Sequence, residues 1–271
     1  GVRIEGIRAV NPITGKEIPI YGEYDVVVVG GGTAGVPAAI AAARAGAKVV
    51  LCVPFVDICA AKKAAEGRAL VAGDISSTGG MLYPMGDLSF DDAYEAFKEM
   101  VVNARDLVDG FILETFSDLY ELKCALLAVK ENCDKPVFTT MTFDTTGHTL
   151  TGTSPRIFAE LMSNMGADAI GVNCSLGPKD LKPIIDELLM YCDKPVIVQP
   201  NRGIPTVRCG RALYSLTTED FASAMDEFRK AGVAVLGGCC GTNPEFIHAV
   251  AQHKGEPVPA RQVKKETLIA S

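Results

Sequence analysis

The chain has 271 residues, a hydrophobic fraction of 48% and a net charge of -7. That is ample apolar material for one large domain or two small ones, and the negative charge, with no basic tract, argues against nucleic acid as a partner. The longest apolar runs, such as 26–29, are too short to span a bilayer, and the start lacks the apolar core of a signal peptide. Nine cysteines, an odd count spread through apolar segments, suit a reduced cytoplasmic protein better than a disulfide framework.

Strand-like and helix-like segments alternate along the chain. Val26–Gly30 reads as a strand and Pro37–Ala45 as a helix with proline in its first turn. Lys48–Val53 is a strand, and Asp57–Glu66 a helix capped by Asp57. Ala69–Gly73 is a strand, followed by a polar loop and the helix Phe90–Arg105. The strands Gly110–Glu114, Pro136–Thr140 and Ala169–Asn173 alternate with the helices Asp118–Asn132, Pro155–Met165 and Lys179–Tyr191. Pro195–Gln199 is a strand, and a long loop separates it from the helix Thr218–Ala231. Val233–Gly237 and Pro244–His253 complete the series.

Eight βα units in this length predict a closed (β/α)₈ TIM-type barrel over 24–258, with an open doubly wound sheet as the alternative. Residues 1–23 form an N-terminal extension, expected as a short hairpin turning at Thr14-Gly15, and 259–271 look like a linker. In such a barrel the strand C-termini and the loops after them build the active site. That brings Asp74, Glu114, Asn173, Cys174, Gln199, Asn201, Cys239 and Cys240 to one end of the molecule.

The first unit raises a separate question. After a run of valines, Gly30, Gly32 and Gly35 give G-x-G-x-x-G before an alanine-rich helix, the shape of a dinucleotide-binding turn. A dinucleotide site also needs an acidic residue at the end of the second strand, and Cys52-Val53-Pro54 stands there instead. A flavin- or nicotinamide-binding protein is therefore the alternative reading, and a lone phosphate the weaker ligand for those glycines.

The most informative segments are "VNCSLGP" and "LGGCCGTNPE". Cys174, Cys239 and Cys240, all at strand ends, can take three corners of a zinc tetrahedron and leave the fourth open. Single cysteines are usually buried filler, which is the reading for Cys52, Cys59, Cys124, Cys133, Cys192 and Cys209. A Cys-Cys pair after Gly-Gly, matched by a third cysteine at another strand end, is not explained by filling.

From about Ala64 onward the chain resembles the homocysteine-binding domain of the zinc-dependent homocysteine S-methyltransferases, the cobalamin-dependent methionine synthases among them. The segments that carry the resemblance are "LVAGDISSTGGMLYPMGDLSFDDAYEAFKEM", "GFILETFSDLYELKCAL", "GVNCSLGP", "VIVQPNRGIP" and "GGCCGTNPEFI". It implies a (β/α)₈ barrel with Cys174, Cys239 and Cys240 as zinc ligands. It implies that Glu114 holds the amino group of homocysteine, and that the segment Asp74 to Thr78, with Ser76 in it, lines the pocket and takes the carboxylate through backbone and hydroxyl groups, with Asn173 also among the substrate-binding residues. Asn201 is expected near the metal, its side-chain oxygen able to fill the open position, although an asparagine capping the turn before Gly203 fits equally well. The implied chemistry is attack of a zinc-bound thiolate on an activated methyl group. The poverty of histidine fits, because metal binding displaces the thiol proton without a base.

The family's first strand ends in a substrate-binding aspartate that this chain lacks. Residues from about 23 to 54 instead resemble the opening βαβ of flavin-dependent oxidoreductases, making 24–63 the Rossmann-like first two units, so a chimera, or a barrel scaffold without catalysis, is also expected from the sequence. Cobalamin and methyl-folate would reach the site only through corrinoid- or folate-binding domains or proteins outside these residues.

Overall fold

The computed structural model describes residues 9–10, 17–18, 26–28, 49–53, 58–65, 69–203, 206–208, 211–214, 216–253 and 258–264. Two short strands, β1 (Ala9–Val10) and β2 (Glu17–Ile18), pair antiparallel. The main sheet contains β3 (Val26–Val28), β4 (Val49–Val53), β5 (Ala69–Ile75), β6 (Gly110–Phe116), β7 (Val137–Met141), β8 (Ala169–Asn173), β9 (Val196–Gln199) and β12 (Val235–Leu236), neighbours in chain order. All pairings within it are parallel. Its edge strands β3 and β12 come within 8 Å of each other, Cα to Cα. No hydrogen-bonded ladder joins them among the described residues. This is an α/β fold with a parallel sheet, consistent with the TIM type.

The helices described are α1 (Ile58–Ala65), α2 (Phe90–Ala104), α3 (Leu119–Asn132), α4 (Pro155–Asn164), α5 (Pro178–Tyr191), α6 (Thr218–Ala231) and α7 (Pro244–Val250). Their starts are set locally. Ser89, Asp118, Ser154, Thr217 and Asn243 each accept a hydrogen bond from a first-turn N–H with the side chain, satisfying donors that helix geometry leaves unpaired. Gly232 ends α6 in the left-handed conformation, at φ 110°.

Strand alternation divides the core in two. Val71, Ile75, Leu113, Phe116, Ile170, Val172, Val196 and Val198 face the helices and pack among residues such as Phe97, Leu126, Phe158 and Leu188. Ala72, Ile112, Ile197 and Val235 form a smaller cluster on the opposite face, with Phe138 against it. Gly171 lies on that inner side because nothing larger fits: a Cβ there would stand 1.7 Å from the Ile197 carbonyl oxygen. One pleat repeat nearer the strand C-termini, the same inner face carries Asp74, Glu114, Thr140, Asn173 and Gln199. An apolar floor thus lies beneath a polar layer.

Three details depart from the sequence reading. Strands β5 and β6 each run two residues further than expected, to Ile75 and Phe116, which places Asp74 and Glu114 within the sheet. The long loop after β9 contains a hairpin, β10 (Thr206–Arg208) with β11 (Arg211–Leu213). Its sequence cue is the two-residue Cys209-Gly210 link. The tail read as a linker is docked over part of its length. Arg261 donates to the carbonyls of Leu189, Cys192 and Lys194, and Lys264 N–H to that of Met190. The carbonyls at the C-terminal end of α5 and just beyond it, left unpaired by helix geometry, give that arginine its partners.

Candidate functional site

Cys174 directly follows β8, and it and Ser175 both adopt left-handed conformations, at φ 61° and 57°. Non-glycine residues avoid that region unless their surroundings hold them there. Here the Cys174 N–H donates to the Gln199 carbonyl at 3.0 Å, and the Leu176 N–H to the Cys174 carbonyl at 2.7 Å. Cys239 and Cys240 follow β12 through Gly237-Gly238. The Cys239 N–H donates to Pro200 O at 2.9 Å, and the Arg202 N–H to Cys240 O at 2.9 Å, tying the loop to the end of β9. Gly238 is required by close approach, since a Cβ would meet the Thr242 hydroxyl at 2.7 Å. That hydroxyl in turn donates to the Cys239 carbonyl.

The three sulfurs lie within 4.8 Å of one another, and Cys174 and Cys240 Sγ are 3.8 Å apart. Zinc–sulfur bonds of ~2.3 Å at a tetrahedral angle give an edge of about 3.8 Å. The donor set and its spacing therefore fit a tetrahedral ion with one position left over. The Cys174 thiol is held down at about 5, chiefly by the Cys239 thiol donating to it against the effect of burial, with Ser175, Cys240 and Asn201 adding donors. Cys239 is pushed well up as that donor, and Cys240 is raised by burial and by the neighbouring Cys174 charge. One sulfur is thus ready as an anion, and the other two release protons when a cation binds. The filler cysteines contrast: burial pushes Cys124 up to about 12 and also raises Cys133 and Cys192. Cys59 is exposed, and Cys52 and Cys209 have side chains outside the described residues.

Asn201 links the two cysteine loops. Its N–H donates to Leu176 O and its Oδ1 accepts from the Cys240 N–H, both at 3.0 Å, while its side chain also donates to the Cys174 sulfur. That oxygen therefore stands between the two cysteine loops, at the Cys240 main chain.

Beside the cysteines sits the polar layer. Strand β6 carries a bulge: Leu113 pairs with Thr139 but Phe116 with Met141, one residue too many. Leu113 and Phe116 both face the helices, so Glu114 and Thr115 lie between them. Thr115 takes φ 64°, and Asn173 holds it. Asn173 Oδ1 accepts from Thr115 N–H at 2.9 Å and from Thr140 Oγ1 at 2.8 Å, and its Nδ2 donates to Thr115 Oγ1 at 2.6 Å. Asn173, expected among substrate ligands, has its oxygen committed to this positioning. Glu114 is only 6% exposed and accepts from Gln199 Nε2 at 3.4 Å. Burial raises the carboxyls of Asp74, to about 6, and of Glu114, well above the usual range, and each is the other's hydrogen-bond partner.

The loop after β5 is organised by a residue the sequence reading did not single out. Glu121, in the first turn of α3 and 2% exposed, accepts from Ser77 Oγ, Thr78 N–H and Thr78 Oγ1, each at 2.7 Å. Thr78 is thereby bound to the scaffold, whereas Ser76 is exposed. A glutamate between Tyr120 and Leu122 on a helix otherwise facing the core was the available signal. Gln199 was likewise placed at a strand end without a role. His148 and His248 are exposed. Gly30, Gly32 and Gly35, the expected nucleotide turn, lie outside the described residues.

Sequence comparison agrees with this geometry. The profile of the family described as homocysteine S-methyltransferase matches residues 37–253, beginning inside the segment read as flavoprotein-like. Methionine synthase from Mycobacterium tuberculosis is 31% identical over 201 residues, covering 71% of this chain and 17% of that protein. The chain thus spans about one sixth of the length of that relative. Crystal structures of the homocysteine methyltransferase MmuM from Escherichia coli superpose with TM-scores of 0.60 (apo form, 19% identity) and 0.61 (metallated form, 18% identity). The apo comparison covers 80% of this chain and 84% of the other, and the metallated one 81% and 84%. At that identity the likeness speaks for the fold. The profile match over most of the chain shows that it belongs to the homocysteine S-methyltransferase family.

Proposed function

We propose that this chain is a zinc-dependent homocysteine-binding module that activates the homocysteine thiol for methyl transfer. The observation that carries the reading is the Cys174–Cys239–Cys240 cluster, with sulfurs within 4.8 Å and one thiol already biased to its anion. Zinc bound there supplies a Lewis acid that keeps the substrate sulfur as a thiolate at neutral pH. Cys174, Cys239 and Cys240 hold the ion, and Asn201 fixes their two loops against each other. Glu114 and Asp74 take the substrate amine from the inner layer, while Ser76 on the loop after β5 takes its carboxylate, Thr78 holding that loop in place through Glu121. The apolar floor beneath keeps water out of the pocket, so that orientation and a dry environment are the protein's part in the reaction.

The same reading closes the sheet into an eight-stranded barrel over 24–258, preceded by an extension over 1–23 and followed by the tail at 259–271. It treats the segment before the family match as a borrowed first strand and turn, and it assigns the protein to the cytoplasm. The methyl group comes from a corrinoid or a methyl-folate carried by other domains or proteins. Among the described residues no helix is long and apolar enough to cross a membrane. Metal analysis of chain purified without chelator tests the proposal: about one zinc per chain is expected, lost when Cys239 and Cys240 are both replaced by serine. No zinc in the parent protein, or zinc retained by the double variant, overturns it.

A further inference from the structure

The cysteine pair is held chiefly through one neighbouring segment. Cys239 and Cys240 stand between Gly238 and Gly241, and hydrogen bonds tie them to residues 200–202, just beyond β9. The Cys239 N–H donates to Pro200 O at 2.9 Å, the Cys240 N–H to Asn201 Oδ1 at 3.0 Å, and the Arg202 N–H to Cys240 O at 2.9 Å. These bonds place the pair only as well as residues 200–202 are themselves placed. On one side, the Asn201 N–H donates to Leu176 O at 3.0 Å, in the loop that carries Cys174. On the other, the Arg202 side chain reaches two more segments. Its guanidinium carbon lies 4.6 Å from the centre of the Phe246 ring and 5.6 Å from that of Tyr214, and its Nε donates to Leu216 O at 3.1 Å. Both rings border the cysteine loop. Phe246 is 1% exposed, sits in α7 directly after that loop, and packs edge-on against Phe221 with ring centres 5.3 Å apart. Tyr214 lies on the loop itself: a Cβ at Gly241, which takes φ 81°, would stand 2.7 Å from Tyr214 Cζ.

We propose that Arg202 is a positioning residue for the metal site: its guanidinium, held against Phe246 and Tyr214, fixes Cys239 and Cys240 at the spacing from Cys174 that zinc requires. The inference rests on the zinc reading. An ion with bonds of ~2.3 Å to sulfur tolerates little error in ligand placement, and the Cys174–Cys240 separation of 3.8 Å already matches it. A loop left free until the ion arrived would have to be ordered at that moment, at the expense of affinity. A guanidinium suits the task because it is flat, stays charged, stacks on aromatic faces and keeps edge donors for a carbonyl. Lysine offers the charge without the plane, and methionine the stem without the charge.

The test is zinc affinity, measured on the full chain by competition with a chromogenic chelator, in the parent, Arg202→Met, Arg202→Lys and Arg261→Ala. Both Arg202 variants should bind zinc about 10–100-fold more weakly than the parent, the usual range when a residue that orients metal ligands is lost. Arg261→Ala removes hydrogen bonds at the C-terminal end of α5 and serves as the destabilised control, its zinc affinity within about threefold of the parent. Cobalt(II) in place of zinc reads the geometry: the visible bands of a tetrahedral thiolate site should weaken and shift in the Arg202 variants and stay unchanged in Arg261→Ala. Arg202→Lys carries the comparison alone if Arg202→Met shows no cooperative melt. Parent-like affinity and cobalt spectrum in the Arg202 variants, or an equal loss of affinity in Arg261→Ala, overturns the role of Arg202 and leaves the zinc reading standing. A parent chain that binds neither zinc nor cobalt overturns both.

Discussion

Replacing Glu121 with alanine removes the anchor of the loop after β5. Three groups lose their acceptor: Ser77 Oγ, Thr78 N–H and Thr78 Oγ1, all bound at 2.7 Å. Thr78 is exposed and Ser77 half-buried, so both hydroxyls turn to water and contribute roughly 0.5–1 kcal/mol each. The Thr78 main-chain bond to a buried carboxylate contributes about 1.5–3 kcal/mol. The expected destabilisation of Glu121→Ala is therefore about 2.5–5 kcal/mol, against about 1–2 kcal/mol for Glu121→Gln, which keeps one acceptor oxygen. Urea denaturation measures both. The freed loop must also be ordered again on ligand binding, so homocysteine affinity falls by about tenfold in the alanine variant while zinc content is unchanged. A loss of stability below about 1 kcal/mol together with unaltered homocysteine affinity would refute the role of Glu121.

Two further expectations concern the polar layer. Asn173→Ala leaves Thr115 N–H, Thr115 Oγ1 and Thr140 Oγ1 without their partner and lets the left-handed Thr115 relax; it should cost about 2–4 kcal/mol in urea denaturation and weaken homocysteine binding through Glu114. A variant as stable as the parent argues that the bulge is held by something else. The Asp74 carboxyl, raised from 3.8 to about 6 by burial, binds its proton more tightly in the folded than in the unfolded chain. Its contribution to stability is accordingly greatest in acid and declines as pH rises from about 4 to 6, by up to about 3 kcal/mol. Melting curves across that range should fall less steeply for Asp74→Asn than for the parent, and parallel curves would contradict the assignment.

Much of this was legible in the chain because the signals were local. Alternating apolar runs marked where strands and helices lie, and the strand ends then brought Cys174, Cys239 and Cys240 together. What the pattern did not reveal depends on contacts across the sheet. The bulge at Glu114-Thr115 is set by Asn173 from two strands away, and no feature of "FILETF" announces it. Glu121 and Gln199 are ordinary residue types whose roles come from what faces them. Arg261 docks because α5 ends with free carbonyls nearby, a fact invisible in a polar tail.

The central claim is that three cysteine sulfurs hold zinc and leave one position for a substrate thiol. X-ray absorption at the zinc edge, recorded with and without homocysteine, tests it most directly. The predicted result is three sulfur neighbours at ~2.3 Å with one lighter atom, becoming four sulfurs when homocysteine is added. A first shell of four sulfurs before substrate, or one unchanged by saturating homocysteine, would contradict it.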